Sequence, residues 1–217
     1  MPYFPDIKEL QAYKVIFFDL DNTLYPYQPA HEAALSASLA RFAHDHGLDS
    51  DNAKALYKQS RDIIHHRLHG QGASHSRLLY FKEMLQGAGK HHTMDLALEY
   101  DRLYWNTFLA AMQPDPEAFA LIEALHAAGH KLGIITDLTT AIQLEKFRLL
   151  KLGKWFSHMI TSEEAGVEKP HADIFNMALK AFDVKPNECA MIGDNIKTDG
   201  GAEALGIKTF IIQLPGL

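Results

Sequence analysis

The sequence predicts an α/β protein: an open parallel sheet with helices on both faces, and a small all-helical domain inserted after the first strand. Three observations lead there. Short, mostly apolar runs recur at positions 15–18, 131–136, 158–161, 189–192 and 208–212. From position 113 onward they alternate with helical stretches, the rhythm of parallel sheets. Between the first and second runs, residues 26–112 contain nothing strand-like. The expected organisation is a core of residues 1–25 and 113–217, and a helical cap of residues 26–112.

Val15-Ile16-Phe17-Phe18 is uniformly apolar, as a strand buried on both faces requires. Pro26 and Pro29 are expected to break the chain after it. Residues 31–46 then place Leu35, Leu39 and Phe42 at helical spacing, with Gly47 as a C-terminal cap. Residues 51–69 place Leu56, Tyr57, Ile63, Ile64 and Leu68 on one side, before a loop at 70–74. Helical patterns continue over 78–85 and 96–108. Asp115 before Pro116 is a helix start, and Phe119, Ile122 and Leu125 form its buried stripe. After the strand at 131–136, a helix from about residue 139 is expected to bury Leu144, Phe147 and Leu150. The strand at 158–161 leads through a loop at 163–170 to a helix carrying Ile174, Phe175, Ala178, Leu179 and Phe182. A strand at 189–192, a short helix at 199–205 and a last strand at 208–212 complete the pattern.

Composition narrows the function. The 217 residues carry 21 Lys plus Arg against 27 Asp plus Glu, a net charge of −6, which gives no basis for binding a nucleic acid polymer or an anionic membrane. No apolar run approaches the ~20 residues of a membrane span, and residues 1–12 lack the apolar core of a signal peptide. The single cysteine, Cys189, lies in an apolar run and reads as a buried thiol. A cytoplasmic protein is expected.

The chemistry concentrates at strand ends, where open α/β sheets bind ligands. Asp19 and Asp21 follow the first strand, with Asn22-Thr23-Leu24-Tyr25 after them. Two carboxylates there call for a divalent cation, and their spacing separates a nucleophile from a proton carrier. Thr136 ends the second strand, followed by Asp137. A hydroxyl and turn N–H groups there can hold a phosphoryl oxygen. Lys169 precedes Pro170 in a loop, and Asp194 and Asp199 follow the strand at 189–192, after Gly193. An N-cap role for Asp199 is the structural alternative.

Taken in order, these four stretches resemble motifs I to IV of the haloacid dehalogenase (HAD) superfamily. The opening Phe-Phe-Asp-Leu-Asp-Asn-Thr-Leu-Tyr is similar to the branch containing pyrimidine 5′-nucleotidases. The resemblance implies a Rossmann-like core with a helical cap, and a phosphatase acting on a small phosphorylated metabolite, a nucleotide monophosphate or a sugar phosphate. It implies Asp19 as nucleophile, forming an aspartyl-phosphate, and Asp21 as acid and then base. Thr136, Asp137 and Lys169 would bind the phosphoryl group. Mg2+ would be held by Asp19, the backbone carbonyl of Asp21 and Asp194, with Asp199 acting through water or by orienting Lys169.

A phosphomutase or phosphotransferase keeps both acids and stays open. A 2-haloacid dehalogenase generally lacks the second acid, because halide leaves without a proton. A non-catalytic binding protein on the same fold is the remaining alternative.

Weaker candidates lie in the helical stretch. His65 and His69, one turn apart, have no evident third zinc ligand, and with His66, His91 and His92 they read as surface residues. Tyr100, Tyr104, Trp105 and Phe108 read as core. Arg77 and Lys82 read as surface charges or, alternatively, as substrate contacts.

Overall fold

The computed structural model describes residues 4–214. By its internal contacts the chain divides into two compact units: Met1–Tyr27 with Gln113–Leu217, and Gln28–Met112.

The first unit is built on one five-stranded sheet. Its strands are β1 (Val15–Phe18), β2 (Lys131–Thr136), β3 (Phe156–Thr161), β4 (Cys189–Gly193) and β5 (Lys208–Ile211). The order across the sheet is β3-β2-β1-β4-β5 and every pair is parallel. All four residues of β1 are fully buried, which explains why that run contains no polar residue. In register, Phe18 pairs with Ile134 on one side and Ile192 on the other. The carboxyl ends of β1, β2 and β4 therefore lie side by side.

The helices of this unit are α1 (Ile7–Leu10), ahead of β1, and α6 (Pro116–Ala127), α7 (Thr140–Leu149), α8 (Ser162–Ala165) and α9 (Ala172–Phe182), which connect the strands; α2 to α5 belong to the helical unit below. Helix α9 packs Ile174, Phe175, Ala178, Leu179 and Phe182 against Val15, Phe17 and Ile135 of the sheet. The Phe17 and Phe182 rings meet edge to face at 5.3 Å. Gly133 lies beside this pair, and a Cβ there would come within 2.7 Å of the Phe182 ring. Ile122 and Leu125 of α6 are fully buried, whereas Phe119 is half-buried.

The second unit contains α2 (Tyr27–His46, starting one residue before the boundary), α3 (Ser50–Arg67), α4 (Arg77–Gly87) and α5 (Leu96–Ala111). Its core is aromatic: Phe42, Tyr57, Tyr80, Phe81, Tyr100, Tyr104 and Phe108 are buried. Tyr104 and Phe108 stack at 6.1 Å, and Tyr57 meets Tyr80 edge-on at 5.9 Å. Hydroxyls in this core find partners: Tyr80 OH lies 2.7 Å from His65 Nε2 and donates to Ser74 O at 2.6 Å.

Three expectations need correction. Pro29 does not break the chain; it sits in the first turn of α2, where a missing N–H costs nothing. Arg77 is not a surface charge. It is buried, donates to His75 O at 2.5 Å and lies 5.2–5.5 Å from the ring centres of Tyr80, Tyr104 and Trp105. Helix α7 buries Ile142, Gln143 and Lys146, while Leu144 is 52% and Leu149 48% exposed. Short helices α1 and α8 had no clear periodic signal, being four residues each. Among the described residues no helix is long and apolar enough to cross a membrane.

Asp115 caps α6 as its sequence suggests, accepting from the Ala118 N–H at 2.9 Å. Asp115→Ala is expected to cost about 1 kcal/mol and to lower the midpoint of a thermal melt by ~2–4 °C for a chain of this size. An unchanged melt would show that the cap is dispensable.

Candidate active site

Four sequence segments meet at the carboxyl ends of β1, β2 and β4. Asp19 leaves β1 with its backbone N–H on Ile192 O at 2.9 Å, so the residue is tied to β4 as well. Leu20 is fully buried, which anchors the turn between the two acids. Asn22 adopts a left-handed conformation at φ 60°, and its Oδ1 accepts from the Tyr27 N–H at 2.9 Å. The chain thus turns sharply between Asp21 and Tyr25, which form an isolated bridge.

Lys169 lies at the centre. Its Nζ donates to Asp19 Oδ1 at 2.8 Å, to Asp199 Oδ1 at 2.6 Å and to Ile135 O at 3.2 Å. The lysine is 5% exposed and Asp199 is fully buried. Burial alone would lower the Lys169 pKa, but Asp19, Asp199 and Asp137 outweigh it and push it upward, so the residue is a fixed ammonium. Asp199 reaches this position because β4 ends in Gly193. A Cβ at Gly193 would stand 2.2 Å from Asp199 Oδ2. The second oxygen of Asp199 accepts from the Asn195 N–H at 3.1 Å, an acceptor role inside its own loop.

Asp19, Asp194 and Asp199 each offer a carboxylate oxygen within 4.8 Å of the others. Lys169 supplies one positive charge against these three carboxylates. Burial first, and then this surplus charge, shifts Asp19 and Asp194 upward. Burial raises Asp19 well above the usual carboxylate range; Lys169 opposes that, and Asp199 and Asp194 add to it. Asp194 is pushed up to about 6 by burial and then by Asp199. A clustered, oxygen-only, negatively charged donor set suits a hard divalent cation. Among the described residues this is the group of acids and histidines close enough to hold a metal, and His65 and His69 are not in it.

Asp21 is not part of this cluster. Its carboxylate receives two hydrogen bonds from Lys146 Nζ, at 2.7 Å to Oδ1 and 2.9 Å to Oδ2, and a third from the Tyr25 hydroxyl. Lys146 was missed by the sequence reading, which gave the apolar face of α7 to Leu144, Phe147 and Leu150; of these Leu150 is buried and Leu144 is not. Its signal was present: Ile142, Gln143, Lys146 and Leu150 share one face at helical spacing.

Gln143 was missed for the same reason. It is fully buried, and its Nε2 donates at 2.7 Å to both Thr136 Oγ1 and Asp137 O. Thr136 Oγ1 thus has an acceptor position filled, and its own proton makes a weak 3.3 Å contact with Asp137 O. Asp137 accepts from the Lys169 backbone N–H at 3.0 Å and seats the lysine loop.

Comparison with known proteins bears on this geometry. A family model described as haloacid dehalogenase-like hydrolase matches residues 13–206. The ribulose-1,5-bisphosphate 5-phosphatase of Halopiger xanaduensis is 38% identical over 202 residues, covering 91% of this chain and 84% of that protein. The glyceraldehyde 3-phosphate phosphatase of Pyrococcus abyssi is 34% identical over 197 residues, covering 90% and 79%. A HAD phosphatase from Thermococcus onnurineus superposes with a TM-score of 0.76 at 25% identity, covering 94% of this chain and 88% of that one. A 2-haloacid dehalogenase from Pseudomonas syringae pv. Tomato DC3000 gives 0.73 at 26% identity, covering 91% and 85%.

The close approach at Gly193 predicts its own test. Gly193→Ala forces Asp199 away from the β4 end and is expected to lower stability by about 1–3 kcal/mol, the usual cost of overpacking a filled interior. Urea denaturation measures it, and a variant as stable as the parent would mean that Asp199 can step aside freely.

Proposed function

The chain belongs to the haloacid dehalogenase-like hydrolases, and from that premise we propose that it is a magnesium-dependent phosphatase acting on a small sugar phosphate through an aspartyl-phosphate on Asp19. The observation that carries the reading is the Lys169 ammonium held between Asp19 and Asp199, with Asp194 beside them. That arrangement presents one carboxylate for attack and leaves negative charge that only a further cation can balance.

In this reading Asp19 attacks phosphorus, the bond from phosphorus to the leaving oxygen breaks, and Asp21 delivers a proton to that oxygen. Water then attacks the phosphoryl-aspartate, Asp21 takes its proton, and inorganic phosphate leaves with Asp19 restored. Lys169 keeps Asp19 aligned and offsets charge on the phosphoryl oxygens. The Thr136 hydroxyl donates to one of those oxygens, oriented by Gln143. Asp19 and Asp194, with the Asp21 carbonyl, would hold the magnesium ion, and Asp199 would fix Lys169. When bound, the ion supplies positive charge that lets a phosphate dianion approach three carboxylates.

The acid at Asp21 favours phosphate over haloacid substrates, because an alkoxide leaving group needs a proton and a halide does not. Sugar phosphates are preferred to nucleotides because the phosphatases from Halopiger and Pyrococcus, at 38% and 34% identity, are named for sugar and triose phosphates. The helical unit joins the core directly after motif I. We assign to it the selection of the leaving group and the exclusion of water, which limits substrates to small metabolites.

Two outcomes are expected. Hydrolysis of 4-nitrophenyl phosphate stops on exhaustive chelation and returns with magnesium, and Asp19→Asn folds but does not turn over. Activity without any divalent ion, or in the purified Asp19→Asn protein, would overturn the mechanism. In a screen of phosphorylated metabolites, the best sugar phosphate should exceed nucleoside monophosphates in kcat/KM by about tenfold or more, since a site built for particular hydroxyls rejects analogues strongly. A nucleotide at the top of that ranking would return the substrate to the nucleotidase branch.

A further inference from the structure

Helix α7 turns a lysine into the protein while leaving two leucines in water. Lys146 has no exposed surface, yet Leu144 and Leu149 on the same helix are about half exposed. Hydrophobic burial alone gives no reason to choose this rotation, because Ile142 and Leu150 on the Lys146 face are matched by Leu144 and Leu149 on the exposed one. A buried ammonium is also costly unless matched, and an apolar residue in its place is often neutral or stabilising. The inward lysine therefore answers to something other than packing.

Its partner is the Asp21 carboxylate, held through both oxygens. The Tyr25 hydroxyl closes on the same carboxylate, and burial followed by the Asp21 charge raises the Tyr25 pKa well above that of a free phenol, so it stays a donor. The Lys146 ammonium lies 5.8 Å from the ring centres of Tyr25 and Tyr27. Three donated hydrogen bonds leave the Asp21 side chain little rotational freedom.

We infer that Lys146 is a positioning residue of this enzyme: it fixes the Asp21 carboxylate so that proton transfer to and from that group occurs in one geometry. The inference rests on the acid–base reading of Asp21 and assigns the residue on which that role depends. It is distinct from the Lys169 site, because the two ammonium groups engage different carboxylates of motif I. Lys146 does not touch the phosphoryl group in this account; it acts through Asp21.

The test compares phenyl phosphate, whose leaving oxygen needs a proton, with 2,4-dinitrophenyl phosphate, whose leaving oxygen does not. Lys146→Met keeps the stem and removes the ammonium. Its kcat/KM on phenyl phosphate should fall by ~10²-fold or more, the range of general acid–base catalysis, while the dinitrophenyl ester loses less than about fivefold. In Asp21→Asn/Lys146→Met the loss should be no greater than in Asp21→Asn alone, because the lysine has nothing left to position. Folding is checked by far-UV circular dichroism. If Lys146→Met does not fold, Lys146→Gln, which retains a donor without the charge, carries the same comparisons. Equal losses on both esters, wild-type rates on both, or additive losses in the double variant would each overturn the inference while Asp21→Asn remains impaired. An Asp21→Asn protein that keeps full activity on phenyl phosphate would overturn the acid–base reading, and the inference with it.

Discussion

One ammonium group organises the catalytic end of the sheet. Lys169 bridges Asp19 and Asp199 at 2.8 and 2.6 Å, with almost no exposed surface on any of the three. Removing one partner of such a buried pair typically costs 3–5 kcal/mol, because the other charge is left unmatched. The surrounding backbone follows from keeping it matched. Gly193 ends β4 so that Asp199 can lie against the strand, Asp137 holds the Lys169 backbone, and the Asp19 N–H is pinned to β4. Even so, three carboxylates face this one ammonium, and burial pushes Asp19 and Asp194 upward. The protein supplies a negative site that a divalent cation can complete.

Motif I carries two acids, and the structure gives each a different lysine. Asp19 shares Lys169 with Asp199, in the acidic cluster. Asp21, two residues on, pairs with Lys146 from α7 and with the Tyr25 hydroxyl. Fully buried Leu20 between them directs the two carboxylates apart. Separate surroundings are a physical means of giving two like groups different tasks. Helix α7 serves both sides of the site: Gln143 grips Thr136 and the Asp137 carbonyl, and Lys146 grips Asp21.

The helical unit holds itself together by different means. Its interior is a set of phenylalanines and tyrosines, and the tyrosine hydroxyls are bonded to histidines, backbone and an acid: Tyr80 to His65 and Ser74, Tyr104 to His31, and Tyr100 to His46 and Asp45. Burial pushes His31 down to about 4, with Arg77 and Arg61 adding to the effect, so this ring is neutral at physiological pH. Arg77 sits among the rings as part of that interior.

The amino-acid sequence by itself determined the central strands, because strands buried on both faces read as near-continuous apolar runs; the edge strand β3, with exposed Ser157 and His158, begins two residues before its apolar run. Positions 131–136 match β2, and β1 and β4 begin where their apolar runs begin. It also marked Asp19 and Asp194, acids that follow apolar strands, while Lys169 and Asp199, farther from the strand ends, were marked through the resemblance to motifs III and IV. Tertiary structure decided which polar groups turn inward elsewhere. A helix such as α7 carries leucines and polar residues on overlapping faces, and periodicity alone assigns the leucines to the core. The buried face also carries Ile142 and Leu150, and its lysine is matched by Asp21, 125 residues earlier in the chain. Arg77 shows the same limit: its charge reads as surface until three aromatic rings and a carbonyl from the folded unit surround it. A long-range electrostatic partner leaves no period in the sequence, so pairings of this kind are settled only when the chain has folded.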